Sequence, residues 1–322
     1  MVPFFNNQQI QQALPCKALI SALCDAFQAQ VQAPRRHVHA LSSAESSTLL
    51  LMPVWQTEGH MGVKLVTVVP GNRDLELPTV QALFILLDTT TGAPLALMDG
   101  EELTLRRTAA ASALASEYLS RADSEHLLIV GTGKLAPYMA IAHCAVRDIR
   151  RLTVWGRDTQ RAHQTMQKIQ ALGLPAAVVV DVAQDLQQAS RHADIISCAT
   201  TSRHPLLQST AVRPGTHIDL VGGFKPDMRE ADDALMASAA LFVDTVDGAL
   251  AEAGDLVQPM QVGLITSASV LADLADLTTG RHPGRSDAQQ ITLFKSVGTA
   301  IEDLCAADLV WQYSKAHPIG EN

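Results

Sequence analysis

Three cations stand where solubility does not account for them. Lys64 interrupts the run GVKLVTVV, where a strand covered on both faces would read as continuously apolar, and a lysine is almost never fully buried without a partner. Arg107 lies in the alanine-rich stretch LRRTAAASALA, and Arg36 follows Pro34 just ahead of an extended segment. Taken singly, each reads as a structural or surface residue. Taken together, in the part of the chain that precedes a nucleotide-binding motif, they can line one cleft and hold a carboxylate.

That motif is Gly131-Thr132-Gly133-Lys134-Leu135-Ala136, which directly follows the apolar run HLLIV and opens a helical stretch. Gly131 permits a tight strand-to-helix turn, Gly133 lets the backbone approach a pyrophosphate, and Ala136 is small enough for close helix–sheet packing. Free N–H groups and the dipole at the helix start favour the anion. A lone motif of this kind is weak, but the strand before it and the helix after it supply the context that dinucleotide binding needs. Dinucleotide sites that prefer NAD place an acid at the end of the second strand, to accept from the ribose hydroxyls. Here RLTVW runs into Gly156-Arg157-Asp158-Thr159, and Arg157 stands about where that acid would be. A guanidinium there can clamp a 2′-phosphate, so NADPH is preferred and NADH stays possible; the plainer alternative is a solvent-exposed arginine. Asp158 is more naturally the cap of the following helix.

The elements that must hold these residues follow from periodicity. Leu19, Ile20, Leu23, Phe27 and Val31 recur at helical spacing over residues 8–31, with Pro15 breaking or kinking the first turn. From Val38 to Met98 short apolar runs (SSTLLLMPVW, HMGVKLVTVV, LPTVQALFILLD) are punctuated at Gly71-Asn72 and Thr91-Gly92, which predicts a largely antiparallel sheet. Thr104 can cap the helix of TLRRTAAASALASEYL. Between about residues 125 and 245, HLLIV, RLTVW, AAVVV, DIISCA and HIDLV predict five strands separated by helices or loops, hence a parallel sheet. ITLFKSVGTAIEDLCAADLVWQYSK reads as one long terminal helical segment that returns to complete the first domain. The expected architecture is therefore α/β: a Rossmann-type doubly wound parallel sheet domain over 119–299, and an α+β substrate and dimerisation domain formed by 1–118 and 300–322.

Composition narrows the classes. The 322 residues are 47% hydrophobic, 18% charged and 4% aromatic, with a net charge of −9 and no basic cluster, which points away from nucleic acid and anionic membranes. No apolar stretch approaches the roughly 20 residues that span a bilayer, and MVPFFNNQQIQQ lacks the pattern of a secretion signal. Five scattered cysteines with no CxxC pair argue against a disulfide framework or zinc site and fit a cytoplasmic protein. His37 and His39 alternate on an extended segment without a suitably spaced third ligand, so no metal is expected. Cys198 reads as a small apolar packing residue, and Glu252-Ala-Gly254-Asp255 forms a loop to which the residues alone assign no role.

GVKLVTVVPGN, the DG-x4-LRRTAAASA segment, GTGKLA, VGGFKPDMREAD and LFKSVGTAIEDLCAA occur in that order, within a resemblance that runs from about residue 34 to residue 310. As a collinear set they resemble the successive motifs of the ornithine cyclodeaminase/mu-crystallin family. The resemblance implies a dimerising substrate domain paired with a Rossmann domain, the substrate binding between them near the nicotinamide, and a homodimer. It implies that Arg36, Lys64 and Arg107 hold the carboxylate of a small substrate, Lys64 and Arg107 being the catalytic pair, and that Thr79 in LPTVQA is a substrate-side residue. Arg35, the neighbour of Arg36, is the alternative ligand; the spacing to Met52-Pro53 favours Arg36. On the cofactor side it implies Thr200, Val221 and Ser296. Ornithine cyclodeaminases carry an aspartate directly after the VGG-like turn, whereas this chain has Phe224, which can neither transfer a proton nor hold an amine by charge; Asp227 matches a structural position of reductase-like relatives. The implied reaction is NADPH-dependent reduction of a cyclic ketimine carboxylate: delta-1-pyrroline-2-carboxylate to L-proline, then delta-1-piperideine-2-carboxylate to L-pipecolate. Ornithine cyclodeaminase or alanine-dehydrogenase-like activity, or a mu-crystallin-like ligand-binding role, are the alternatives.

Overall fold

The structure, a computed structural model, describes residues 1–41 and 47–317, with Arg73 described by its backbone alone. Its contacts divide the chain into two units, Met1–Thr108 with Thr299–Asn322, and Ala109–Gly298. The first division falls inside the helix Gly100–Leu119 rather than at its end near residue 118. The last residues of the first domain as expected from sequence, 318–322, lie outside the described residues, as does Ser46 at the head of the first apolar run.

The first unit is built on a seven-stranded sheet. Its strands are β1 (Phe4–Phe5), β2 (Val31–Gln32), β3 (His37–Ala40), β4 (Thr48–Gln56), β5 (His60–Val68), β6 (Val80–Asp88) and β7 (Pro94–Asp99), in the order β1-β7-β6-β5-β4-β2 with β3 also paired to β4. All pairings are antiparallel except the short parallel β1–β7 edge, so the expected antiparallel sheet is present. Pro15 does more than kink a helix. It ends one, Asn7–Ala13, and starts another, Cys16–Gln28, because its ring fixes φ and it has no N–H to donate. The latter packs with the terminal helix Ala300–Ala316, which in turn covers β4, β5 and β6. Side chains alternate across the strands: Met52, Val54, Lys64, Val66, Phe84 and Leu86 are buried, while Leu51, Pro53, Val63, Leu65 and Ile85 are half-buried.

The second unit carries an eight-stranded sheet, parallel throughout. Its strands are β8 (His126–Val130), β9 (Arg151–Trp155), β10 (Val179–Val182), β11 (Ile195–Cys198), β12 (His217–Leu220), β13 (Ala240–Val243), β14 (Val270–Asp273) and β15 (Thr292–Lys295). The order β10-β9-β8-β11-β12-β15-β13-β14 reverses direction between β8 and β11, the topological switch point of a doubly wound sheet. Leu127–Val130 are wholly buried, which is why this strand reads as an unbroken apolar run. Four of the five strands expected from sequence stand in place, and the third, read over residues 176–180, is shifted to Val179–Val182; β13, β14 and β15 lie outside the expected runs. The long terminal helical segment is corrected by β15: TLFK is a strand of this sheet, and the helix starts only at Ala300, capped by Thr299. Thr104 is also reassigned. The helix begins at Gly100, Asp99 accepts from the Glu102 amide at 2.9 Å, and the Thr104 hydroxyl, inside the helix, donates to the Gly100 carbonyl at 2.6 Å.

Candidate functional site

In the first unit, β5 places Lys64 on the covered face of the sheet, beneath the helix Ala300–Ala316. Only 2% of Lys64 and 4% of Arg107 is exposed. One carboxylate ties them together. Asp303 accepts from Lys64 Nζ at 2.8 Å and from Arg107 Nε at 2.8 Å, both on Oδ1. Arg107 also pairs with Glu302 through Nη1, and Lys64 donates to the Thr104 hydroxyl at 3.3 Å. Burial, then the Arg107 charge, pull the Lys64 ammonium down to about 8, against the opposing pull of Asp303. Burial works against the charge on Arg107, yet Asp303 and Glu302 outweigh it and raise its pKa. Asp303 feels the mirror of this: burial raises its carboxyl, while Arg107 and Lys64 together hold it below the ordinary value.

These bonds do not exhaust the cations. An ammonium has three N–H donors and a guanidinium five, so Lys64 keeps one hydrogen and Arg107 its Nη2 group beyond the bonds just described. Arg36 is half-buried and close enough for its charge to act on Lys64, which makes a third positive group of the same cluster. Arg35 is exposed. Thr79 is half-buried ahead of β6, its carbonyl accepting from the Val69 amide at 2.8 Å. The acids that organise the cluster, Glu302 and Asp303, were missed in the sequence. Two adjacent acids inside the apolar helical run AIEDLCAA were the available signal, the same kind that singled out Lys64.

In the second unit the expected cofactor residues fall on one edge. Backbone bonds continue the sheet one residue past the strands: Gly131 N to Trp155 O, Ala199 N to Val130 O, Val221 N to Cys198 O and Ser296 N to Leu220 O, at 2.9–3.1 Å. Gly131, Thr200, Val221 and Ser296 therefore line the carboxyl ends of β8, β11, β12 and β15, around the switch point, where open α/β sheets bind ligands. Gly131 has φ +129°, and a Cβ there would sit 2.6 Å from the Ala199 carbonyl oxygen. At Gly133 a Cβ would meet nothing within 4 Å, so the loop presents open backbone. Thr132 and Leu135 are half-buried and Lys134 is exposed. Ala136 is fully buried and starts the helix Ala136–Val146. The buried Ser296 hydroxyl has no protein partner. An anion-accepting helix start, a loop with room above Gly133 and an unsatisfied hydroxyl on the same edge together fit a dinucleotide.

Arg157 is exposed after β9, and Asp158 caps the helix Thr159–Ala171 by accepting from the Gln160 and Arg161 amides. Behind the edge lies a buried charge cluster that the sequence did not expose as one: Glu230, Asp255 and Lys295, all wholly buried, with Lys295 Nζ 3.5 Å from Asp255 Oδ2. Asp255, in the loop to which no role could be given, accepts from the Glu230 and Ala231 amides at 2.8 and 3.0 Å. Cys198 packs in the core, its thiol pushed well up by burial and by Glu230. Phe224 is exposed, and Asp227 pairs at the surface with Arg203 at 3.2 Å. His37 and His39 are exposed on β3, and all five cysteines are free. Among the described residues, no three metal-ligating side chains cluster and no helix is long and apolar enough to cross a membrane.

Residues 4–317 match the model of the ornithine cyclodeaminase/mu-crystallin family. The chain is 38% identical over 309 residues to the delta(1)-pyrroline-2-carboxylate reductase of Colwellia psychrerythraea, covering 95% of this chain and 97% of that protein. In structure it is similar to the delta(1)-pyrroline-2-carboxylate reductase of Thermococcus litoralis, solved in complex with NADH and L-proline: TM-score 0.93, 33% identity, 100% of both chains. An archaeal alanine dehydrogenase dimer with bound NAD gives a TM-score of 0.91 at 28% identity, over 99% of this chain and 98% of that one.

Proposed function

The chain belongs to the ornithine cyclodeaminase/mu-crystallin family, and from that premise we propose that it reduces a small cyclic imino acid, delta-1-pyrroline-2-carboxylate, to L-proline with a reduced nicotinamide dinucleotide. The observation that carries this reading is the pairing of Lys64 and Arg107 on Asp303, which fixes two cations in one place with donor hydrogens still available. Named relatives that reduce this imine, at 33–41% identity, support it.

When bound, a reduced nicotinamide supplies the hydride. The protein's own residues have a lighter task, because an imine that binds already protonated is itself a strong hydride acceptor. Their work is orientation: Lys64, Arg107 and Arg36 hold the carboxylate, so that the neighbouring C=N carbon has one allowed position, and Thr79 borders it. Lys64 also lies near the ring nitrogen in this reading and can return a proton through water. The Rossmann edge holds the dinucleotide through Gly131–Ala136, Thr200, Val221 and Ser296. Arg157, exposed after β9 where an acid would select NADH, favours NADPH. The six-membered piperideine analogue, giving pipecolate, is the second substrate, and the protein acts as a homodimer. Phe224 in place of an aspartate argues against deamination of ornithine, since no carboxylate stands there to take the amine's proton.

Absorbance at 340 nm tests the proposal, with NADPH or NADH and freshly generated pyrroline-2-carboxylate. Lys64→Ala and Arg107→Ala are expected to lower kcat/KM for the imine at least a hundredfold while dinucleotide affinity stays within about twofold. Arg157→Ala is expected to lower the NADPH-to-NADH preference ratio. Unchanged imine kinetics in both cation variants would remove the carboxylate site, and an unmoved ratio would remove the role of Arg157. Ammonia release from ornithine, or faster turnover of pyruvate with ammonia than of the imine, would favour the cyclodeaminase or alanine dehydrogenase alternative.

A further inference from the structure

The two loops that follow β11 and β12 meet at the carboxyl edge of the second unit's sheet, and one side chain bonds both. Glu230 is wholly buried. Its Oε1 accepts from the Thr200 amide and the Thr200 hydroxyl, each at 2.8 Å, and its Oε2 accepts from the Gly222 amide, also at 2.8 Å. The loops touch so closely there that a Cβ on Gly222 would collide with the Thr200 backbone. Glu230 is itself anchored from below, since Asp255 accepts from its amide and Lys295 stands beside Asp255. Thr200 is the residue expected to face the cofactor from this edge, and the carbonyl of its neighbour Ala199 packs against Gly131 of the glycine loop.

We propose that Glu230 is a positioning residue for the dinucleotide: its carboxylate locks Thr200 and Gly222 in the one arrangement that shapes the switch-point crevice. This rests on the reading that the second unit binds a nicotinamide dinucleotide. The chemistry demands a carboxylate in particular. Each of its two oxygens faces a backbone N–H, so an amide in the same place must turn its NH2 group toward one of them, whichever way it is oriented. A buried N–H left facing another donor loses its bond and pays for desolvation, so the loop moves instead. Protonation has the same consequence in weaker form, converting one acceptor into a donor. The charged and titratable groups around Glu230 are Lys295, Asp255 and Cys198. Burial raises the Glu230 carboxyl to about 7, Lys295 and the Thr200 bonds opposing and Asp255 assisting, so the lock loosens as the solution turns acid.

The experiment is direct binding of NADPH and of NADH, followed by cofactor fluorescence between pH 6 and 8.5 without imino acid. It is run on the parent and on Glu230→Gln, with hydrogen exchange at the Thr200 and Gly222 amides as the second readout. The parent is expected to bind more weakly below about pH 7. Glu230→Gln is expected to bind about tenfold more weakly at pH 8, roughly 1.4 kcal/mol, with the acid-side change flattened and exchange faster at those two amides but not within β8. Affinity within twofold of the parent together with an unchanged pH profile overturns the proposal. Should Glu230→Gln not fold, Thr200→Val removes the hydroxyl's bond to Glu230, and with it the weaker bond from the Ser202 amide, while the Thr200 amide keeps its own bond to Glu230. It is expected to shift the pH profile and to weaken binding by a few fold, and an unshifted profile overturns the proposal equally. A parent that binds neither dinucleotide refutes the functional reading itself, whereas a parent that binds alongside a variant that binds equally well refutes only the role of Glu230.

Discussion

A lysine sealed beneath a helix keeps its charge only while something negative stays beside it. Asp303 does this for Lys64 and Arg107 at once, and the consequence can be followed through pH. Because burial lowers the folded-state pKa of Lys64 from 10.5 to about 8, the unfolded chain holds the proton more tightly over that interval. The cost of burying the charge is thus fully present below about pH 8 and fades as pH rises toward 10.5. The carboxylate binding proposed for the same ammonium would run the other way, since it would be lost as Lys64 deprotonates. The KM for the imino acid should therefore rise above about pH 8. Asp303→Asn removes the partner that holds the proton on Lys64, so the rise should begin at lower pH, with dinucleotide affinity little changed. The folded state should lose about 3–5 kcal/mol, the usual effect of leaving a buried cation unpaired. A pH–KM profile identical to the parent's would mean that Asp303 does not set the charge of Lys64. At this scale the sequence went halfway: Lys64 was conspicuous in an apolar strand, but its partner lies 239 residues away and no local pattern joins them.

Strands and helices were legible wherever one period dominated. The antiparallel hairpins of β4 to β7 and β8, apolar from Leu127 to Val130, are examples, each bounded by a turn or glycine signal. The misreadings came where two signals competed. TLFK is too short to show a period, and the helical pattern directly behind it drew it into one long helix, whereas burial on both faces made it β15. Thr104 offered a capping hydroxyl, but Asp99 stands at the true start and a threonine inside a helix can donate to the carbonyl of the preceding turn. Gly131 is an element-level position with little freedom, because its φ of +129° and the Ala199 carbonyl oxygen behind it exclude a side chain. Gly131→Ala should cost about 1–3 kcal/mol in denaturant unfolding and weaken dinucleotide binding together with it. Full stability with full affinity in that variant would show that the loop can take another shape and that the glycine is not required.

The first unit's sheet has one face beneath helices and an opposite face of Leu51, Pro53, Val63, Leu65, Ile85 and Leu97 that remains half-buried. A contiguous apolar face of this kind is the surface on which the proposed homodimer would form. Sedimentation velocity should give twice the mass of a single chain, and Ile85→Lys should shift the protein toward the monomer, a charge on that face being costly to bury. A parent that sediments as a single chain at micromolar concentration would set the homodimer aside. Composition, the two periodicities and the glycine loop were enough to foresee an α/β protein with a Rossmann-type sheet, because those properties repeat along the chain and need no knowledge of distant neighbours. Folding alone decided which acid would sit against which cation and which loops one glutamate would join. Burial brings residues such as Asp303 and Lys64, or Glu230 and Thr200, within 3 Å of each other, and it is burial that shifts their affinity for protons. Neither proximity nor desolvation is written in the order of the residues.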